Sequence, residues 1–179
     1  MHKTVFSLVA LILTFSFSTA WAWEPDPNNK PQLEVQAAII SLKAKDDGFQ
    51  DWFKNAAGYA VFPKVGKGAI GIGGAYGSGL VIAGDKVVGT TTMSQISIGL
   101  SLGGQGYAEF IFFKDKTALD EFKRGNFELG AQASAVVAKA GASANAAYNK
   151  GVAIFTNISG GVMADASVGG QKFEYAEVK

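Results

Sequence analysis

From Gly58 onward glycine recurs at intervals too short for a long helix, and the residues between the glycines are mostly β-branched or aromatic. This pattern restricts the body of the chain to short antiparallel strands joined by tight turns. All but one of the 23 glycines, Gly48, lie in this body and leave its strands little side chain to pack. Such strands coil sharply, carry bulges or bring backbones close together, and a strongly curved, barrel-like sheet does all three. Ile96, Ile98, Leu100 and Leu102 alternate with Ser97, Gly99 and Ser101, which gives one strand an apolar face before Gly103-Gly104 turns it. Tyr107 to Phe113 reads as its partner, and further turns are expected at Gly84-Asp85, Gly160-Gly161 and Gly169-Gly170.

The segment before the glycine-rich body is different. Pro31 suits the first residue of a helix along which Leu33, Ala37, Ile40 and Ala44 repeat at helical spacing, with Val35, Ile39 and Leu42 alongside. Phe49, Trp52, Phe53 and Ala56 predict a second short helix with an aromatic stripe, ended by Gly58. Inside the body, Thr117-Ala118-Leu119-Asp120 has capping-box form, so a helix is expected with Leu119 and Phe122 facing inward, Asp120 pairing with Arg124 and Gly125 stopping it. The small residues from Phe127 to Tyr148 alternate weakly and are expected to form strand pairs. The predicted architecture is α+β: N-terminal amphipathic helices packed on a strongly curved, Gly-rich antiparallel sheet or barrel-like body with one inserted helix.

Lys3, the apolar stretch Val5 to Phe17 and the small-residue site Ala20-Trp21-Ala22 follow the order of a cleavable secretory signal. The expected organisation is a signal peptide over 1–22, a flexible lead-in over 23–30 and a single domain over 31–179. The expected destination is the periplasm or the extracellular space, free or in association with a membrane. The chain has no cysteine, and its single histidine, His2, lies in the leader. Neither a thiol nor an imidazole is then left for a triad, a cysteine nucleophile or a zinc site, so no catalytic residue, metal or cofactor is expected. The one arginine and the absence of a basic cluster argue against nucleic acid as a partner. Gly66-Lys67-Gly68-Ala69-Ile70-Gly71 has the letters of a dinucleotide fingerprint, but more glycines follow where a helix must open.

Asp46-Asp47, Glu109, Asp165 and Glu174 are the carboxylates available for acid-base work. Most read as solvated turn or strand residues, and Glu109 is expected on the outer face of a half-buried strand. Lys64 and Lys67 flank Val65-Gly66 and form a short basic turn with Gly68, near Phe62 and Tyr76. Ammonium charges and exposed backbone N–H groups there suit an anionic lipid headgroup, and an ordinary solvated turn is the alternative. Leu33, Ala37, Ile40 and Lys43 are the candidate membrane-facing positions of the first helix. Its polar residues are weakly cationic, so packing onto the domain is the default.

Ala57-Gly58-Tyr59-Ala60-Val61-Phe62-Pro63-Lys64-Val65-Gly66-Lys67-Gly68, followed by Ile72-Gly73-Gly74-Ala75-Tyr76-Gly77-Ser78-Gly79, resembles the opening of the SYLF domain. Gln95 to Leu100, Phe112 to Phe127, Leu129 to Ser134 and Gly160 to Phe173 follow in the order that family shows. The resemblance implies a non-catalytic lipid-binding module. Eukaryotic relatives bind phosphoinositides, a fungal relative binds actin, and bacterial relatives are exported. A lipid- or membrane-surface-binding protein of the bacterial cell envelope is the leading expectation. A small integral outer-membrane β-barrel and a soluble structural or stress protein of the envelope without a ligand are the rivals.

Overall fold

The computed structural model describes residues 23–70, 72–98, 105–130, 133–158 and 168–178. The expected leader and its cleavage site, Gly103-Gly104, Gly160-Gly161 and Asp165 lie outside the described residues, as do Leu100 and Leu102. Two helices come first, α1 (Lys30–Lys43) and α2 (Phe49–Asn55), followed by four long strands: β1 (Gly58–Ile70), β2 (Ile72–Ala83), β3 (Lys86–Ile98) and β4 (Gln105–Phe113). The inserted helix α3 (Lys116–Lys123) leads to the two-residue strands β5 (Phe127–Glu128) and β6 (Val136–Val137), and then to β7 (Val152–Ile158) and β8 (Gln171–Glu177).

The strands form one sheet in the order β5-β8-β3-β2-β1-β4-β7-β6, antiparallel except where β6 pairs with β7. The sheet curls strongly into a half-barrel, so the α+β class and the curved body stand as expected. The segment after Phe127 contributes two short pairings and a 3₁₀ turn at Ser143–Asn145 instead of full strand pairs. Its alanines and serines bury too little area to hold long strands.

Each face of the sheet has its own core. On the outer face α1 and α2 lay Val35, Leu42, Phe49 and Phe53 over Tyr59, Val61, Phe110, Phe112 and Phe155. Phe53 meets Tyr59 and Phe112 at 4.9 Å, and Trp52 meets Phe155 at 5.1 Å, edge-on geometries that add to area burial. Trp23, the first residue of the expected lead-in, is only 6% exposed and belongs to this core. On the inner face Phe62, Met93, Ile111, Phe113 and Phe173 line the curl, and α3 closes over them with Leu119 and Phe122. Phe122 stacks on Phe113, Phe127 and Phe173 at 4.9 to 5.4 Å.

Local chemistry accounts for the element ends. Asn29 caps α1 by accepting from the Gln32 N–H, and Pro31 sits in its first turn. α3 is capped by Asp115, which accepts from the Ala118 N–H; the expected capping box at Thr117 does not form because the helix already begins at Lys116 and Thr117 lies in its first turn. Asp120 pairs with Lys116 one turn before it, not with Arg124. Gly125, at φ 79°, ends that helix as expected, and Gly84, at φ 60°, supplies the left-handed residue of the β2–β3 turn.

Candidate functional site

Two places in the fold carry chemistry beyond packing, one on the outer face and one inside the curl. On the outer face α1 buries Val35, Ala38, Ile39 and Leu42. Leu33, Ala37, Ile40 and Ala44 fall on the opposite side of the helix and are exposed, Leu33 at 40% and Ile40 at 49%. The helix therefore has two apolar faces and only one of them is covered. Lys43 leaves this outward stripe and places its ammonium 4.9 Å from the Phe53 ring centre, where partial burial lowers its pKa.

Beyond the edge of α1 the outer face of the sheet is bare. The segment expected as a basic turn is strand: Lys64, Gly66, Lys67 and Gly68 pair along β1 with Ser78, Tyr76, Ala75 and Gly74 of β2. A register shift between Val61 and Lys64 replaces the turn; by this bulge Lys64 points outward while Val65 is buried. Of the expected headgroup group, the structure brings together Lys64, Gly66 and Tyr76; the side chain of Lys67 lies outside the described residues. Tyr76 is 60% exposed, and Ile96, at 81%, stands diagonally across from it because Tyr76 pairs with Ser94 and Gly74 with Ile96. Ile96, the first residue of the expected apolar alternation, therefore faces outward, and the buried side of β3 is Thr91, Met93 and Gln95. The fingerprint-like segment at Gly66 is likewise strand up to Ile70, with no helix opening there.

Lys64 is not a bare cation. Its Nζ donates to Glu34 Oε1 of α1 at 2.9 Å, and this bond holds the Glu34 carboxyl below the usual range. The pair spans a cavity of about 280 Å³ between α1 and the sheet, lined by Ala37, Ser41, Pro63, Ala108 and Asn157.

Inside the curl lies a polar group that the sequence reading misplaced. Glu109, expected on the outer face, is fully buried on the inner one, directly opposite Thr156 in the β4–β7 pairing. Strand parity explains the correction: Tyr107, Glu109, Ile111 and Phe113 share the inner face, while α1 and α2 cover Ala108, Phe110 and Phe112. Gln171 Nε2 on β8 donates to Glu109 Oε2 at 3.0 Å. Gln95 lies beside Gln171 in the β3–β8 pairing and donates to the Gly169 carbonyl. Burial pushes the Glu109 carboxyl up to about 7, against a smaller lowering from Gln171. Burial and then the Glu109 charge push the Tyr107 hydroxyl upward. Gln95, Tyr107, Thr156 and Gln171 escaped the sequence reading. Their signal was a polar residue at inward parity among apolar ones, which is visible only once the faces are assigned.

The other carboxylates are structural or solvated. Asp46 accepts from Ser143 N at 2.9 Å and Ser143 Oγ at 2.6 Å, bonds that lower its pKa and tie the α1–α2 connection to the 3₁₀ turn. Asp47 and Glu174 are exposed. Among the described residues no three acidic, histidine or cysteine side chains converge on a metal position, and no helix is long and apolar enough to cross a membrane.

A two-cored, curled sheet with helices on its outer face defines the class of protein. Residues 94–177 match the domain of the Ysc84 (SYLF) family, described as Las17-binding protein actin regulator. The chain is also 30% identical over 141 residues to beta cell expansion factor A of Aeromonas veronii. That alignment takes in 78% of this chain and 53% of the relative, so the chain spans about half the length of that protein.

Proposed function

We propose that this protein is a non-catalytic module that binds a lipid membrane surface of the cell envelope through its outer face. One observation carries the reading: α1, already packed on the sheet by one apolar face, turns a second apolar stripe of Leu33, Ala37, Ile40 and Ala44 straight to solvent. Tyr76 and Ile96 add exposed apolar surface on the bare part of the same side of the molecule. Exposed Lys30, Lys45 and Lys64 border these residues and suit anionic headgroups. The family's description concerns actin regulation through a protein partner, and a membrane-docking face is compatible with such a partner elsewhere on the surface.

An integral β-barrel fits less well, since a membrane-spanning barrel needs a bare apolar exterior and here two helices pack over part of the outer face of the sheet. The test is flotation of the protein with vesicles of phosphatidylglycerol or of phosphatidylcholine. Binding to the anionic vesicles that weakens with salt and is lost in Ile40→Glu supports the proposal. Absence of binding to either composition, or unchanged binding by Ile40→Glu, overturns it.

A further inference from the structure

β4 and β8 are not neighbours in the sheet, because β3, β2 and β1 lie between them. Their contact across the inside of the curl is the hydrogen bond from Gln171 Nε2 to Glu109 Oε2. Around that bond three buried oxygens have no hydrogen-bond partner: Glu109 Oε1, Gln171 Oε1 and Thr156 Oγ1. Carboxylate and amide oxygens only accept, and of these three oxygens only the Thr156 hydroxyl carries a proton to donate. A proton on Glu109 Oε1 turns one acceptor into a second donor for the cluster. Ionised Glu109 instead places a charge at a fully buried position with no counter-charge among the described residues.

Among the described residues no cation lies against Glu109 to offset that charge. β1 offers Phe62 and Val65, β7 offers Thr156, β8 offers Gln171, β3 offers Gln95 and β4 itself offers Tyr107. Among the described residues Glu109 is the sole buried member of the Asp, Glu, Lys and Arg set, and Tyr107 is the only other titratable group facing it. We propose that Glu109 is an internal proton-binding site that keeps the curl closed while protonated, and that its ionisation admits water to the seam between β4 and β8 and loosens β8. The shift of its carboxyl to about 7 puts that transition near neutral pH. This inference is independent of the lipid-binding reading.

The experiment follows the protonated-carboxyl infrared band and the amide exchange of Gln171–Glu177 between pH 5 and pH 8 (conditions bracketing roughly the neutral range of a shifted glutamate), with exchange corrected for its intrinsic pH dependence. The band should vanish with a midpoint near 7, and protection of the β8 amides should fall about tenfold or more over the same interval. Glu109→Gln, neutral and of the same shape, should lack the band and keep β8 protected at the higher pH. Thr156→Val, which makes the pocket less polar, should move the midpoint upward. No band at the lower pH, a band that titrates without any change in β8 exchange, or a Glu109→Gln variant that exchanges like the parent would overturn the proposal. A midpoint that depends on sodium against potassium at fixed ionic strength would also overturn it, in favour of a cation site. Should Glu109→Gln fail to fold, agreement of the two midpoints in the unaltered protein decides.

Discussion

Gly79 shows what a single residue has to do in this sheet. It lies on the inner face of β2, and a Cβ there would come within 2.3 Å of the Val61 carbonyl oxygen and 2.9 Å of Phe62 Cδ1. The obstacle is backbone at the β1 bulge, so it cannot rotate away. Gly79→Ala is expected to cost on the order of 2 to 3 kcal/mol, as overpacking does in a well-filled core. It should appear in urea melts as a lower midpoint with an unchanged slope. Glu34 is the opposite case, a half-buried residue whose removal should help function. It holds Lys64 at 2.9 Å and adds a negative charge to the face proposed to meet anionic lipid. Glu34→Gln is expected to strengthen partitioning onto phosphatidylglycerol vesicles severalfold, and Lys64→Ala to weaken it by about fivefold, both effects fading with added salt.

Among the elements, α1 separates folding from binding because it has two apolar faces with different tasks. Leu42→Ala removes a fully buried side chain and should destabilise by about 2 to 4 kcal/mol. The pair Leu33→Glu with Ile40→Glu changes only outward positions and should leave stability within roughly 0.5 kcal/mol. Vesicle flotation should then be lost in the second variant while its thermal melt matches the parent. Loss of both together would show that the stripe supports the fold. The inserted helix α3 makes the converse point. Its one inward face fills the open side of the curl through Phe122, and Phe122→Ala should cost about 3 to 5 kcal/mol.

Across the whole molecule, the buried acid sets a pH dependence opposite to that of an ordinary paired carboxylate. Folded Glu109 holds its proton up to about pH 7, whereas in the unfolded chain a glutamate releases it near 4.5. The stability that Glu109 contributes is therefore complete below about pH 4.5, declines as pH rises to about 7 and changes no further above that. The difference is on the order of 3 kcal/mol. Asp46 acts in the other direction, since its lowered pKa gives stability that is lost as acid protonates it. Chemical denaturation at a series of pH values should show the Glu109 slope in the parent and its absence in Glu109→Gln.

The sequence by itself determined the class and most of the elements, though not the strand at Lys64 or the short pairings after Phe127, because glycine spacing, capping residues and side-chain period act over a few residues. Gly125 and Gly84 end or turn the chain where their backbone freedom is needed, and the aromatic stripe of Phe49, Trp52 and Phe53 packs as its helical spacing requires. The family resemblance was legible for the same reason, in short strings between glycines. Only the tertiary structure decided which face of each element is covered. α1 had apolar residues on both sides, and contact with β1 and β2 selected Val35, Ala38, Ile39 and Leu42 over Leu33, Ala37 and Ile40. β4 was apolar on both faces because the sheet has two cores, so alternation could not tell that Glu109 points inward. The meeting of Glu109 with Gln171, 62 residues apart, depends on how tightly the sheet curls. That curl is set by bulges and by packing from both sides, which no local pattern records.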